Sequence, residues 1–317
     1  MKSGQWRVIN NIYMNKIFAS LFFFISVIPV FLVGCAGMAA SAEEYYSIGM
    51  AYFDIGKYED AEKWLNRASQ ADRTMTASVY NLGRLAFERQ RYNEAVTHFE
   101  SILQRDQDNV LALKAAAYTR IKTGDLDIAS RHYSRLITLV PESSDDGYNH
   151  ALVLYAMERY SEAEEVLNRY PFALLENTNV MLLHARSQKA QNKIEAIDSY
   201  SNILSISSDP KVRYEYAQIL EYHEIYARSL EEYRQALLQT SASSSDPARS
   251  SIRFAIAKIL LIADGENSEG VTELENALRD GFNNISLIEE LLDIDGISAE
   301  NINSIRNIIN NFQEAEE

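Results

Sequence analysis

Apolar residues along most of this chain recur at intervals of three and four, the spacing of one buried helix face, and no stretch alternates as a half-buried strand would. From residue 42 the helical pattern comes in pairs. Tyr45, Ile48, Gly49 and Tyr52 define a first helix, Gly56 a turn, and Ala61, Leu65 and Ala68 a second helix. Small residues at Gly49 and Ala61 allow close approach, while Ile48, Tyr52 and Leu65 are expected to fill the seam. The pair then recurs, with Ala61, Ala95, Ala129 and Ala163 each 34 residues apart. Gly83, Tyr92 and Phe99 mark the second pair, Ala117, Tyr133 and Leu136 the third, and Ala151, Tyr160, Leu167 and Tyr170 the fourth. The fifth keeps Ala185, Ala196, Tyr200 and Ile203 but loses one residue in its turn; the sixth has Ala217, Tyr226, Ser229, Tyr233 and Ala236. A seventh, with Ala257, Leu261, Gly270, Leu274 and Ala277, follows a serine-rich stretch, Thr240 to Ser245. Pro141, Pro171, Pro210 and Pro247 all fall between pairs, as residues that break helix interiors should. Such pairs bury their apolar faces by stacking, so residues 42–281 are predicted to form an all-α repeat array. Residues 282–317 supply capping helices, a short one over Leu287 to Leu292 and another started by Ser298 with Ile302, Ile305, Ile309 and Phe312 on one face.

The segments Tyr45-Tyr46-Ser47-Ile48-Gly49 and Tyr80-Asn81-Leu82-Gly83, each followed by Ala61 or Ala95, resemble the tetratricopeptide repeat family over about three quarters of the chain. The resemblance implies an all-α solenoid, a right-handed superhelix of about seven helix-turn-helix repeats. It also implies that the first helix of each repeat lines a concave side. Carried onto this chain, the residue after the first aromatic position points into that side: Tyr46, Tyr80, Lys114, Tyr148, Met181 and Tyr214. A turn further along come Met50, Arg84, Tyr118, Leu152 and Gln218, then Phe53, Phe87, Ile121, Tyr155 and Tyr222. The implied groove is aromatic with a few polar groups, which suits an extended peptide or a partner helix. Some of these rings are also of the type that covers neighbouring helices in the family. The family's capture of a chain-terminal carboxylate by lysine, arginine and asparagine is not matched. Lys114, Lys122 and Arg84 are the only cations nearby, and Tyr118 and Met50 stand where asparagine is wanted.

The N-terminus carries different chemistry. Lys16 precedes an apolar run from Ile17 to Val33, broken by Pro29 and short for a membrane span, which reads as a signal peptide. Counted from Met14 this leader has ordinary proportions, and Met14 is the expected start. Leu32-Val33-Gly34-Cys35, with the chain's one cysteine, resembles the lipobox of bacterial lipoproteins. That resemblance implies a signal peptide over 1–34, cleavage after Gly34, lipid attachment (palmitate among the chains) at Cys35, and a tether over 35–41. Several acyl chains hold a protein firmly where one does not. Ala36 beside Cys35 lacks the aspartate associated with inner-membrane retention, so the outer membrane is favoured, on its periplasmic or outer face.

Charge narrows the partners. The net charge is −15, and three of the 30 basic residues lie ahead of Glu43, leaving 27 against 45 acidic side chains beyond it, eighteen negative. Such a chain repels a phosphate backbone, so no nucleic acid is expected. A single cysteine excludes an internal disulfide and a multi-cysteine metal cluster. His98, His132, His150, His184 and His223 lack a zincin spacing and read as packing residues, so no metal, cofactor or catalytic residue is assigned. The resulting expectation is a non-enzymatic, lipid-anchored scaffold for a protein or peptide partner, with self-association left open. Two other classes stand beside it: an accessory binding a hydrophobic solute through Met50, Phe53, Leu152 and Ile259, and a surface adhesin.

Overall fold

The computed structural model describes residues 40–241, 243–264 and 268–316, without the side chains of 313–316. The expected leader, lipobox and Cys35 lie outside the described residues. Described residues form helices, no strand, and one isolated bridge between Ser245 and Ala248.

In chain order the helices are α1 Ala42–Asp54, α2 Tyr58–Ala71, α3 Thr76–Glu88, α4 Tyr92–Leu103, α5 Val110–Thr123, α6 Leu126–Leu139, α7 Ser144–Ala156 and α8 Tyr160–Leu167. They continue with α9 Ala173–Glu176, α10 Thr178–Ala190, α11 Glu195–Ile206, α12 Pro210–Tyr222, α13 Tyr226–Gln239, α14 Arg249–Ala263, α15 Ser268–Arg279, α16 Ile285–Glu289 and α17 Ala299–Glu316. By its contacts the chain divides into two bodies, 1–115 and 116–317, with the division inside α5.

First helices tend to start on a side-chain cap. Ser41 and Glu44 form a reciprocal capping box on α1, Ser143 caps α7, Asn177 caps α10, and Asp209 caps α12, whose first residue is Pro210. Second helices start on an aromatic residue in repeats one, two, four and six, Tyr58, Tyr92, Tyr160 and Tyr226. Between the two helices of a repeat, one turn residue takes positive φ: Gly56, Gln90, Gly124, Glu158, Asn192 and Glu224. Only Gly adopts that region without crowding its Cβ. Glu158→Gly is therefore expected to raise stability by about 0.5–1 kcal/mol, read as an upward shift in denaturation midpoint.

In the first body, Ala61, Leu65, Leu82 and Leu85 form the core, with Tyr46, Met50, Tyr52, Phe53 and Tyr58 packed onto it. A Cβ on Gly49 would meet Leu65 Cγ at 2.8 Å, and one on Gly83 would meet Phe99 Cε1 at 2.6 Å, so these contacts set the helix separation. Ile48, expected in the seam, is instead 37% exposed, while its neighbour Gly49 faces Leu65. Glu62 joins repeats one and two by accepting from Arg91 Nη2 at 3.0 Å and Arg89 Nη1 at 3.1 Å.

In the second body, Ala129, Ala151, Ala163, Ala185, Ala196, Ala217, Ser229, Ala236 and Ala257 are all fully buried where helices meet. Glu164 and Lys193, 2.7 Å apart, occupy the places that Glu62 and Arg91 hold three repeats earlier. Gln188 and Gln191 also donate to the Glu164 carboxylate. Toward the C-terminus, Leu261, Leu274 and Ala277 share one cluster with Phe282, Ile288, Leu291, Ile297, Ile305 and Ile309. The helix expected over Leu287 to Leu292 is split into α16 and a 3-10 turn, Glu290–Asp293. Ser298 does cap α17 through the Asn301 amide. The four-residue α9 between repeats four and five was not anticipated.

Candidate functional site

Within the first body, much of the aromatic surface expected to line a groove is spent on packing. Tyr80 lies on Phe99 at 5.5 Å, Phe87 on Tyr92 at 5.3 Å, and Phe53 on Tyr58 at 5.7 Å. Tyr46 accepts from Asn81 Nδ2 at 3.0 Å, Asn81 Oδ1 accepts from Arg84, and the Arg84 guanidinium stands 5.0 Å over Phe53. Met50 packs on the same core, and Lys114 is exposed. In the second body Tyr118 and Leu152 are exposed, and Tyr148 packs with Tyr155 against the core of repeats four and five.

An open cleft of about 440 Å³ forms where α7, α10 and α12 converge. It is lined by Tyr155 from α7, Arg186 and Lys189 from α10, and Lys211, Tyr214, Glu215 and Gln218 from α12, with Tyr200 and Asp246 at its edges. Arg186 holds Glu215 with two parallel bonds, Nε to Oε2 at 2.9 Å and Nη2 to Oε1 at 2.8 Å. Tyr200 adds a third, its hydroxyl donating to Glu215 Oε2 at 3.0 Å. Such a bidentate pair fixes both side chains and costs little further entropy when a ligand arrives. The hydrogen bond that Arg186 donates to Glu215 raises the Arg186 pKa against opposing burial. Lys189 Nζ donates to the Gln218 amide oxygen at 2.6 Å, and burial lowers its pKa. Lys211 pairs with Asp246. Tyr214 leans on Tyr233 at 5.5 Å, and burial raises the pKa values of Tyr155 and Tyr214.

Of the residues expected to line the groove, this cleft gathers Tyr155, Tyr214 and Gln218. Met181 does not enter it and packs against the core of repeats five and six. Tyr222 is 58% exposed, edge-on to His223, while Glu221 beside it takes the inward place and pairs with Lys258. Both lie one place out of register: Leu182, not Met181, stands 34 residues after Tyr148, and Glu221, not Tyr222, stands seven after Tyr214, the spacing of Tyr148 and Tyr155. Ile259, expected to offer apolar contact to a solute, is fully buried in the core of repeats six and seven. Arg186, Lys189, Glu215, Lys211 and Asp246 were missed. The signal for the first two was available, since each lies 34 residues after Leu152 or Tyr155.

Three of the five histidines lie against neighbouring polar side chains. His150 Nε2 is 3.1 Å from Ser130 Oγ, His184 Nε2 is 3.0 Å from Asn168 Oδ1, and His98 Nε2 is 3.8 Å from Glu94 Oε1. Among the described residues no cluster of three or more His, Cys, Asp or Glu could hold a metal, and no helix is long and apolar enough to cross a membrane.

Paired helices, recurring small contacts and a cleft between first helices define a repeat scaffold. Residues 46–110 and 80–144 match the family model described as tetratricopeptide repeat, so the chain carries tetratricopeptide repeats over that span. It is 24% identical over 174 residues to an "Uncharacterized lipoprotein" of Treponema pallidum (strain Nichols), covering 55% of this chain and 89% of that one. Its fold is similar to that of a tetratricopeptide repeat protein from Parabacteroides merdae ATCC 43184, with TM-score 0.52, 20% identity, and coverage of 80% of this chain and 98% of that one. It is also similar to YrrB, titled a TPR protein with an unusual peptide-binding site, with TM-score 0.51 and 13% identity over 61% of this chain and 96% of that one.

Proposed function

We propose that this protein is a non-enzymatic, lipid-anchored adaptor of the bacterial envelope that holds a peptide segment of a protein partner in the cleft of repeats four to six. The cleft itself carries the proposal. Three successive first helices surround it with tyrosines and with hydrogen-bonding groups already fixed by the Arg186 and Glu215 pair. Tyrosine supplies contact area at low rotamer cost and a hydroxyl suited to peptide backbone. No serine, threonine, cysteine or histidine lines the cleft, and its carboxylates are engaged with cations.

Anchoring rests on Leu32-Val33-Gly34-Cys35 and is supported by the name of the Treponema relative. Attachment at the outer membrane fits Ala36 after the cysteine. Residues 42–281 would then be the binding array on a tether of 35–41, with 282–317 as its cap. In cells fed labelled palmitate, Cys35→Ala is expected to abolish labelling and move the protein into the soluble fraction; label retained on the variant would refute the anchor. For the partner, a photo-crosslinking residue at Tyr155 should capture one protein, and Arg186→Ala should remove that capture while leaving the helical signal intact. If capture is unchanged by Arg186→Ala, the cleft is not the binding site. If native mass spectrometry finds a small molecule in the cleft instead, the solute-accessory reading replaces this one.

A further inference from the structure

A second cleft, of about 260 Å³, lies on the other side of α12, and the two share Tyr214 and Gln218 as a common wall. Their chemistry differs. In the first, two of three cations are already matched, Arg186 by Glu215 and Lys211 by Asp246. Lys189 has only the neutral Gln218 amide as its hydrogen-bond partner, and the nearby Glu215 already serves Arg186 and Tyr200. The cleft therefore carries one surplus positive charge in a chain of net charge −15. A partly buried ammonium that faces an amide gains when a carboxylate arrives, because the ionised acceptor gives the stronger bond.

In the second cleft the charges cancel, with Lys258 Nζ 3.0 Å from Glu221 Oε1. Its floor is apolar: Phe254 and Phe282 stack at 4.4 Å with a 7° interplanar angle, and Leu287 lies beside them. Packed helices lie about 8–10 Å apart, and an extended peptide advances about 3.3 Å per residue. A chain crossing α12 from one cleft to the next therefore covers about three residues.

We propose that the two clefts read one extended peptide at two points: a carboxylate set against Lys189 and, about three residues along, a bulky apolar side chain set against Phe254, Phe282 and Leu287. This rests on the peptide-binding reading above and specifies its ligand. The carboxylate is that of an acidic side chain.

The test is affinity selection of a synthetic library of random free-acid dodecapeptides on the full chain, with sequences read by mass spectrometry. Enriched peptides should share an acidic group and a bulky apolar residue about three positions apart. Replacing the acid by its amide should weaken binding about tenfold. On Lys189→Met the same replacement should have no further effect, the signature of a direct pair. Ser251→Trp, which fills the second cleft, should remove the apolar preference and keep the acidic one. Amidating the C-terminus should leave binding unchanged; loss of binding would overturn the assignment to an acidic side chain. The amide-substituted peptides need no protein variant, so the result stands even if Lys189→Met folds poorly. Enriched peptides that compete for the cleft but lack the acidic and apolar pair overturn this proposal and leave peptide binding in place. No enrichment over bare matrix overturns both.

Discussion

Gly147→Val is expected to destabilise the second body by about 3 kcal/mol or more, the largest effect of any single substitution considered for this chain. Gly147 lies in the first turn of α7, and a Cβ there would stand 2.0 Å from Tyr170 Cε2 and 2.5 Å from Tyr170 Cζ. No rotation of valine relieves contact made by the Cβ itself, so the ring must move. Tyr170 is only 7% exposed and is packed among Leu154, Ala163, Leu167 and Val180. Its departure would forfeit aromatic burial and leave a cavity between repeats four and five. Gly124→Ala is the comparison: φ there is +82°, but nothing lies within 4 Å of a new Cβ, so only backbone strain of about 1 kcal/mol opposes it. Because repeats unfold partly one by one, the readout is hydrogen exchange across α7 and α8 together with the denaturation midpoint. Unchanged protection of α7 in Gly147→Val would show that the ring is free to move and that the packing argument is wrong.

The same contacts explain what was legible in the sequence. Helices that approach to the distance set by Gly83 against Phe99 tolerate only small residues at the crossing, so Ala61, Ala95, Ala129 and Ala163 advertise the fold. The turns advertise it less well. Their left-handed residue recurs regularly, but Gln90, Glu158, Asn192 and Glu224 hide the conformation that Gly56 and Gly124 reveal. A helix as short as α9 has no period to read. At the cleft, Tyr155, Tyr214 and Gln218 were legible because they keep the repeat register. Met181 and Tyr222 each stand one residue out of that register, which Leu182 and Glu221 keep. Lys211 and Asp246 come from a helix start and a loop, where no register applies, and Tyr200 is a core ring whose hydroxyl alone reaches the cleft. Repeat seven supplied no residue to the expected peptide groove, although Phe254 and Lys258 stand on its first helix.

Acid should weaken the second body well before its carboxylates titrate. His150 is buried on α7, with Nε2 held by Ser130 and Nδ1 without a hydrogen-bond partner. Burial, aided by Arg159 and Arg169 and opposed by Glu162, lowers its pKa to about 4. In the unfolded chain the imidazole titrates near its ordinary value of about 6.5. Between those values the unfolded state binds a proton that the folded state refuses, so stability rises with pH across the window. The contribution is complete above about pH 6.5, is lost as pH falls toward about 4, and amounts to about 3 kcal/mol at most. His98 and His184 are shifted down as well, burial being the main cause, so the full chain's slope contains all three. His150→Leu isolates one share: it gives up the Ser130 hydrogen bond at every pH, but its stability should fall less steeply between pH 6.5 and 4.5. Glu164 does not confuse the comparison. Lys193, Gln191 and Gln188 hold its pKa below the ordinary carboxylate value despite burial, so its contribution is present above about pH 4.5 and is lost only at lower pH. Equal slopes for the parent chain and His150→Leu across that window would mean that the buried imidazole is protonated in the folded state, with Nδ1 satisfied by water.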